Sequence, residues 1–401
     1  MTSTAPQLLP YLERLLNGET VEWKTLGEVC DIVKAASKLK SGDYCVSGKV
    51  PIIDQGAQYI AGYTDKELAT IPKDEYIIFG DHTETIKFVD FEFVQGADGL
   101  KILHTKKALS KYVYYAFSNF YKKTASYKRH WSKAKETAIP LPPLRVQARI
   151  VEILDKFTQL ETELEAELEA RNKQYDFYRN RLLDFAHRDD FDGKVEWTTL
   201  GKVCLQLRTG LNPRNNFKLN TDDASNYYVT VRELGGTELI YSEKTDLIND
   251  HALQLINNRS KLKVNDILFS GTGTIGKTAF IAEEPSNWNI KEGVYALTLD
   301  TRYVLPMFVL RYLQSQRAID WIERMAAGST VRSITMRNLE QLPFPLPPLS
   351  EQRRIVEILD RFDTLTNSIS EGLPREIALR RKQYEYYRDA LLRFPPPAPT
   401  A

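Results

Sequence analysis

Within this 401-residue chain, Gly271–Thr278 reads GTGTIGKT and satisfies the G-x-x-x-x-G-K-[ST] spacing of a phosphate-binding loop. Such a loop cradles phosphates on backbone amides when a strand precedes it and a helix N-terminus follows. Ile267–Ser270 reads as the strand. The segment after Thr278, AFIAEEPSNW, is a short apolar run ending at a proline, and it reads as a second strand instead of a helix. The octapeptide is therefore expected to be a glycine hairpin turn whose Lys277 is free to meet a nucleic-acid phosphate. A P-loop nucleotide-hydrolysing enzyme using Gly271–Thr278 is the second reading of the chain.

Other catalytic chemistry finds no support in the residues. The chain has no [DN]-P-P-[YF] tetrapeptide of the kind adenine methyltransferases use. His82, His104, His130, His187 and His251 are isolated and lack metal-ligand spacing. No serine or cysteine sits in a nucleophile motif. Cys30, Cys45 and Cys204 are too few and too scattered for a disulfide framework. Cys30 in TLGEVC and Cys204 in TLGKVC fit small buried apolar groups. No catalytic residue and no metal ligand is assigned.

Basic residues among aromatics give the stronger signal. Phe120–Trp131 reads FYKKTASYKRHW and holds Lys122, Lys123, Tyr127, Lys128, Arg129 and His130. Lys101–Pro140 carries ten Lys/Arg against the single acid Glu136, although the net charge of the whole chain is only +1. A comparable run near AAGSTVRSITMR holds Arg324, Arg332 and Arg337. Lys and Arg neutralise phosphates and release counterions, while arginine and aromatics can also contact base edges and sugars. The recurrence predicts DNA contact by these residues together with Lys277.

These two basic runs occupy matching places in a duplicated frame. VEWKTLGEVC at Val21 recurs as VEWTTLGKVC at Val195, and PLPP at Pro140 recurs at Pro345. Between the marks lie two inserts that share little alignable sequence. The first shows EYIIFG and IKFVDFEFV as strands and Lys111–Lys123 as an amphipathic helix. The second shows NYYVTV, DILFSG, TAFIAE and VYALTL as strands and Met307–Met325 as its helix. Strands first and one helix late is an α+β pattern.

After each PLPP comes a long helical stretch. IVEILD starts at Ile150 and Ile355, and KQY starts at Lys173 and Lys382. Proline suits the first turn of a helix, where its missing N–H costs nothing. Ile150, Ile153, Phe157, Leu160, Leu164 and Leu168 predict one coiled-coil seam, and Ile355, Ile358, Phe362, Leu365, Ile369 and Ile377 the other. Leu164 to Leu168 is a four-residue step, and Ile369, Leu373 and Ile377 make two, which unwinds a coil without turning the seam far. A helix of about 43 residues is on the order of 64 Å long and acts as a spacer. Seven acids against Lys156 between Glu152 and Glu169 read as a solvated outer face. The alternative is that they keep DNA off the middle of the coil.

Hydrophobic content of 42% and charge of 27% are those of a soluble globular protein. No apolar run approaches a membrane span. MTSTAPQLLPYLERLL lacks the basic start and long apolar core of a secretory signal, so a reducing cytoplasm is expected.

The frame VEW, insert, PLPPL, IVEILD and KQY, occurring twice and reading LPPLSEQRRIVEILD and RKQYEYYRDALL in its second copy, closely resembles the DNA-specificity subunit (S subunit) of type I restriction-modification systems. The resemblance covers essentially the whole chain and fails in the inserts, so no target bases carry over. It implies two α/β target recognition domains separated by an antiparallel coiled coil of two long helices, with an internal pseudo-twofold repeat. The expected domains are a short N-terminal helix at 1–20 completing the repeat, the first recognition domain at 21–140 and the central helix at 141–188. They continue with a linker and second recognition domain at 189–343, the C-terminal helix at 344–394 and a disordered tail at 395–401. The resemblance further implies a non-catalytic subunit that binds double-stranded DNA and joins two adenine-N6 methyltransferase subunits to ATP-dependent endonuclease/translocase subunits. S-adenosylmethionine, ATP and magnesium then belong to the partners, with none bound by this chain.

Overall fold

The computed structural model describes residues 10–96, 98–124, 126, 128–188, 195–326, 332–368 and 371–395. The tail from 396 onward, the candidate DNA contact Tyr127 and the seam residue Ile369 lie outside the described residues. The chain divides into two compact units, Met1–Glu165 with Glu376–Ala401, and Ala166–Arg375. Each unit thus contains one insert and part of both long helical stretches.

The first unit opens with α1 (Pro10–Leu16), β1 (Glu22–Thr25), α2 (Leu26–Val29) and β2 (Cys30–Val33). β3 (Val50–Ile53), β4 (Gly62–Thr64), β5 (Tyr76–Gly80), β6 (Ile86–Val89), β7 (Val94–Gln95) and β8 (Leu100–Thr105) follow. Next come α3 (Ser110–Phe120), α4 (Trp131–Ala134), β9 (Ala138–Leu141) and α5 (Leu144–Leu183), which ends in the second unit. One sheet has the antiparallel order β2-β8-β5-β6; a smaller one, β4-β3-β7, pairs β3 with β7 in parallel. β5 is buried along its whole length because it separates two cores. Ile77 and Phe79 face α3 and α5 with Tyr112, Phe117, Ile150 and Leu154. Tyr76 and Ile78 face the other way, with Val89, Phe93 and Ile102. Cys30 is buried in the first of these cores, and burial pushes its thiol up to about 12.

The second unit repeats this plan with β10 (Glu196–Thr199), α6 (Leu200–Val203), β11 (Cys204–Thr209), β12 (Asn226–Val229) and β13 (Leu247–Ile248). It continues with α7 (Asp250–Arg259), β14 (Ile267–Ser270), β15 (Thr278–Phe280), β16 (Trp288–Ile290) and β17 (Val294–Leu299). α8 (Pro306–Leu313), α9 (Gln316–Met325), α10 (Met336–Glu340), β18 (Pro343–Leu346) and α11 (Leu349–Asn367) complete it, and α12 (Gly372–Leu392) closes the chain's helices. The sheets are β11-β17-β14-β15 and β13-β12-β16, again with one parallel pair. The inserts that could not be aligned by sequence therefore share one topology. The single helix expected over Met307–Met325 is two, because Ser315 leaves the helical path and its hydroxyl accepts from Ala318 N to start α9.

The C-terminal stretch also departs from expectation, since 344–394 is not one helix. α11 stops at Asn367 and α12 starts at Gly372. Gly372 has φ +73°, and a Cβ there would lie 2.4 Å from Thr364 O. Pro374, two residues on, has no N–H to bond back to a preceding turn, so Gly-Leu-Pro marks the break. The central helix is shorter than 141–188, running from Leu144 to Leu183.

Within each unit the helices pack antiparallel around the same aromatic group. In the first, Phe157 stacks on Tyr387 with centroids 5.4 Å apart and meets Tyr384 at 6.5 Å. In the second, Phe362 stacks on Tyr178 at 5.5 Å and meets Tyr175 at 6.3 Å. The seam assignment needs two corrections. Leu160 is 43% and Leu365 36% exposed, because the packing surface turns polar beside them. Glu161 and Glu165 hold Arg381 next to Leu160, and Thr366 is the buried residue next to Leu365. Leu154 and Leu359, outside the expected seam, are fully buried against the globular cores. α1 packs Leu12 and Leu16 into the first core together with Leu391, Leu392 and Phe394, so it joins the end of a long helix and does not replace it.

A matched pair of glutamines fixes each globular part to its helix. Gln147 Nε2 donates to Pro142 O (2.7 Å) while its Oε1 accepts from Leu109 N (3.0 Å) at the start of α3. Gln352 does the same for Pro347 O (2.9 Å) and Leu305 N (2.9 Å) at the start of α8. The last residue of each IVEILD adds a second tie: Asp155 accepts from Tyr115 OH (2.6 Å), and Asp360 pairs with the buried Arg311 (2.8 Å). Gln352→Leu leaves a buried amide and carbonyl without partners and is expected to cost about 1–3 kcal/mol per orphaned group, read by urea unfolding. A Phe362/Tyr178 double-mutant cycle is expected to give about 0.5–1.5 kcal/mol of coupling.

Candidate nucleic-acid interface

In the first unit the basic segment is the loop between α3 and α4, clamped to the β5–β6 turn, residues 81–85. Glu84 accepts from Tyr121 OH (2.7 Å), from Thr124 N (2.9 and 3.0 Å) and from Thr124 Oγ1 (3.2 Å). Asp81 Oδ1 accepts from His130 N (2.9 Å) and Trp131 N (2.8 Å) at the start of α4. Lys122, Lys123, Lys128 and Arg129 remain exposed, and none forms an ion pair among the described residues. His130 does not belong with them. It is 1% exposed, its Nε2–H donates to Ser126 O (2.7 Å), and its Nδ1 lies 3.1 Å from Thr124 Oγ1, so it braces the loop from inside.

In the second unit the corresponding turn is Gly271–Lys277, between β14 and β15. It is a hairpin, with Phe269 opposite Thr278 and Ile267 opposite Phe280. No helix follows, so there is no N-terminus to hold phosphates. Thr278 is buried, its hydroxyl donating to Gly236 O (2.7 Å), and is therefore unavailable to a magnesium ion. Gly273 (φ +71°) and Gly276 (φ +89°) supply the left-handed turn positions. The phosphate-loop enzyme is excluded on this geometry, while Lys277 is exposed at the hairpin end.

The structure brings Lys277's hairpin together with Arg332. Gly273 N donates to Arg332 O (3.1 Å), Ile334 N donates to Gly271 O (2.9 Å), and Thr272 bridges Ser333. Arg332 Nη2 donates to Glu323 O (2.9 Å), beside the exposed Arg324 at the end of α9. Arg337 is exposed on α10, a helix that packs against α6. Both units thus join a hairpin turn to the basic segment preceding the PLPP joint. Asp81 and Glu84 were not anticipated as part of the site. Their only sequence signal is a pair of acids inside a turn between two strongly apolar strands. Among the described residues no cluster of three or more His, Cys, Asp or Glu could hold a metal ion. None of the described helices is long and apolar enough to cross a membrane.

A family model described as the type I restriction modification DNA specificity domain matches residues 18–171 and 194–379, one match in each half of the duplication. The chain belongs to this family. Its relatives include the type I restriction enzyme EcoR124I/EcoR124II specificity subunit of Escherichia coli, 36% identical over 97% of this chain and 98% of that one. A putative specificity subunit of Haemophilus influenzae is 32% identical over 96% and 98% of the two chains. Among solved structures, the S subunit from M. genitalium has the same fold at TM-score 0.58 and 16% identity, over 94% of this chain and 97% of that one. A chain from a structure of type I R-M assembly gives 0.60 and 16%, over 97% and 99%. This specificity chain therefore serves DNA sequence recognition, and a non-catalytic role is consistent with its family.

Replacing Lys122, Lys123 and Arg129 by Ala is expected to weaken DNA binding and to flatten the dependence of log K on log salt by up to about 0.9 for each phosphate no longer neutralised. A salt titration on duplex DNA checks this, and an unchanged slope places the patch off the DNA.

Proposed function

We propose that each globular part of this specificity subunit reads one half of a bipartite duplex target, and that the paired helices set the gap between the halves. The observation that carries this reading is a single topology made twice on a shared helical frame, with unlike residues at the two hairpin-and-loop edges. Two such readers suit half-sites about one helical turn apart, roughly 34–36 Å, where both meet the same groove. α5 alone, with 40 residues, supplies about 60 Å of rigid length.

In the same proposal the exposed faces of the helices dock two adenine-N6 methyltransferase subunits, and ATP-dependent endonuclease/translocase subunits join the assembly. S-adenosylmethionine, ATP and magnesium then act in those partners and not on this chain, in the cytoplasm where the DNA lies.

Deleting one four-residue step, Leu164–Glu167, keeps the seam nearly in phase and shortens the helix by about 6 Å. The expected result is a target gap changed by one or two base pairs with both half-sites unaltered, read by methylation-motif sequencing. An altered half-site with an unchanged gap refutes the assignment of spacing to the helices.

A further inference from the structure

The turn that carries Asp81 and Glu84 has a feature that the hairpin itself does not require. Glu84 is only 2% exposed and sits at φ +54°, a left-handed conformation that a side chain of its size rarely adopts. The second unit builds the corresponding hairpin without any carboxylate, using glycines at its positive-φ positions and tying it to its loop through backbone bonds. Holding a buried glutamate in that strained position is thus not the condition for making the turn.

What the carboxylates do is visible in their partners. Glu84 gathers Tyr121 OH, Thr124 N and Thr124 Oγ1, and lies 3.4 Å from His130 Nδ1. Burial and the Glu84 carboxylate both push the Tyr121 hydroxyl up, which keeps it protonated as a donor. Asp81 holds the far end of the loop through His130 N and Trp131 N. One turn therefore grips the loop at Thr124 and again at His130. Lys128 and Arg129 lie between the grips, with Lys122 and Lys123 immediately before the first. All four are exposed. The carboxylates lie beneath the loop, where they hold cations outward without presenting negative charge to a phosphate backbone. A loop fixed before binding loses less conformational freedom on binding.

We propose that Glu84 is a positioning residue for DNA recognition by the first unit, holding Thr124, and with it the flanking Lys122, Lys123, Lys128 and Arg129, in place before DNA arrives. The proposal rests on the reading that this loop lies on DNA.

The test uses the full chain in complex with its methyltransferase partner on duplex target DNA, comparing salt slopes and thermal midpoints. Glu84→Gly suits the positive φ, so it removes the grip without adding backbone strain. Its slope is expected to fall as far as that of a Lys122/Lys123/Lys128/Arg129→Ala variant, by up to about 0.9 for each phosphate the loop no longer meets. Combining the two sets is expected to add nothing further. Glu84→Gln, which can still accept from Tyr121 and Thr124, is expected to fall between wild type and Glu84→Gly. If Glu84→Gly keeps the wild-type slope while the four-residue variant loses it, the positioning role is wrong. If the four-residue variant keeps its slope as well, the loop is off the DNA, and the reading beneath the proposal fails with it.

Discussion

The structure depends on an aromatic match that no single copy of the repeat can satisfy. Each copy carries a phenylalanine two residues after IVEILD, a tyrosine at the end of KQY and another three residues further on. Phe157 of the first copy stacks on Tyr387 of the second, and Phe362 of the second stacks on Tyr178 of the first. Such pairs contribute about 0.5–1.5 kcal/mol beyond the area they bury. The geometric effect matters more than the energy. A phenylalanine in the first half of one helical stretch meets tyrosines in the second half of the other only if the stretches run antiparallel. The pairing direction and the register follow from that exchange.

The globular parts hang from this frame by bonds that the duplication preserved. Gln147 and Gln352 each join a PLPP carbonyl to the N-cap amide of the globular helix that precedes it in the chain. Asp155 and Asp360 each receive a donor from that same helix, a tyrosine hydroxyl in one case and a buried arginine in the other. Arg311 is almost fully buried and is tolerated because Asp360, Asp363 and Tyr175 surround it. Fixed attachment of this kind lets the remaining surface diverge. The strands keep their order while the residues at the hairpin ends change from Asp-His-Thr-Glu to Gly-Thr-Gly-Thr-Ile-Gly-Lys.

At those ends the units solve one problem by different chemistry. The first places carboxylates under a lysine-rich loop. The second uses glycine turns and backbone bonds, and leaves Lys277 and Arg332 on adjoining segments. Both arrangements leave cations exposed beside a hairpin, and exposed cations of this kind are what neutralises a phosphate backbone in the proposed function. On the proposed function, unlike side chains on like scaffolds give each unit a specificity of its own.

The amino-acid sequence alone determined the duplication, the long helices, the strands EYIIFG and DILFSG, and the rejection of GTGTIGKT as a phosphate loop. These are local matters of periodicity, proline and turn chemistry. It also contained the signal for the helix break, in Gly372-Leu373-Pro374, although seam periodicity on both sides masked it. Tertiary structure alone decided that the two inserts are the same fold, because strand order depends on hydrogen bonds between distant segments that dissimilar residues can make equally well. It also turned His130 inward and left Leu160 and Leu365 exposed. Whether a side chain faces water depends on what packs beside it, and for His130 and Leu160 that surrounding includes remote residues, Glu84 beside His130 and Arg381 on Glu161, which periodicity does not encode.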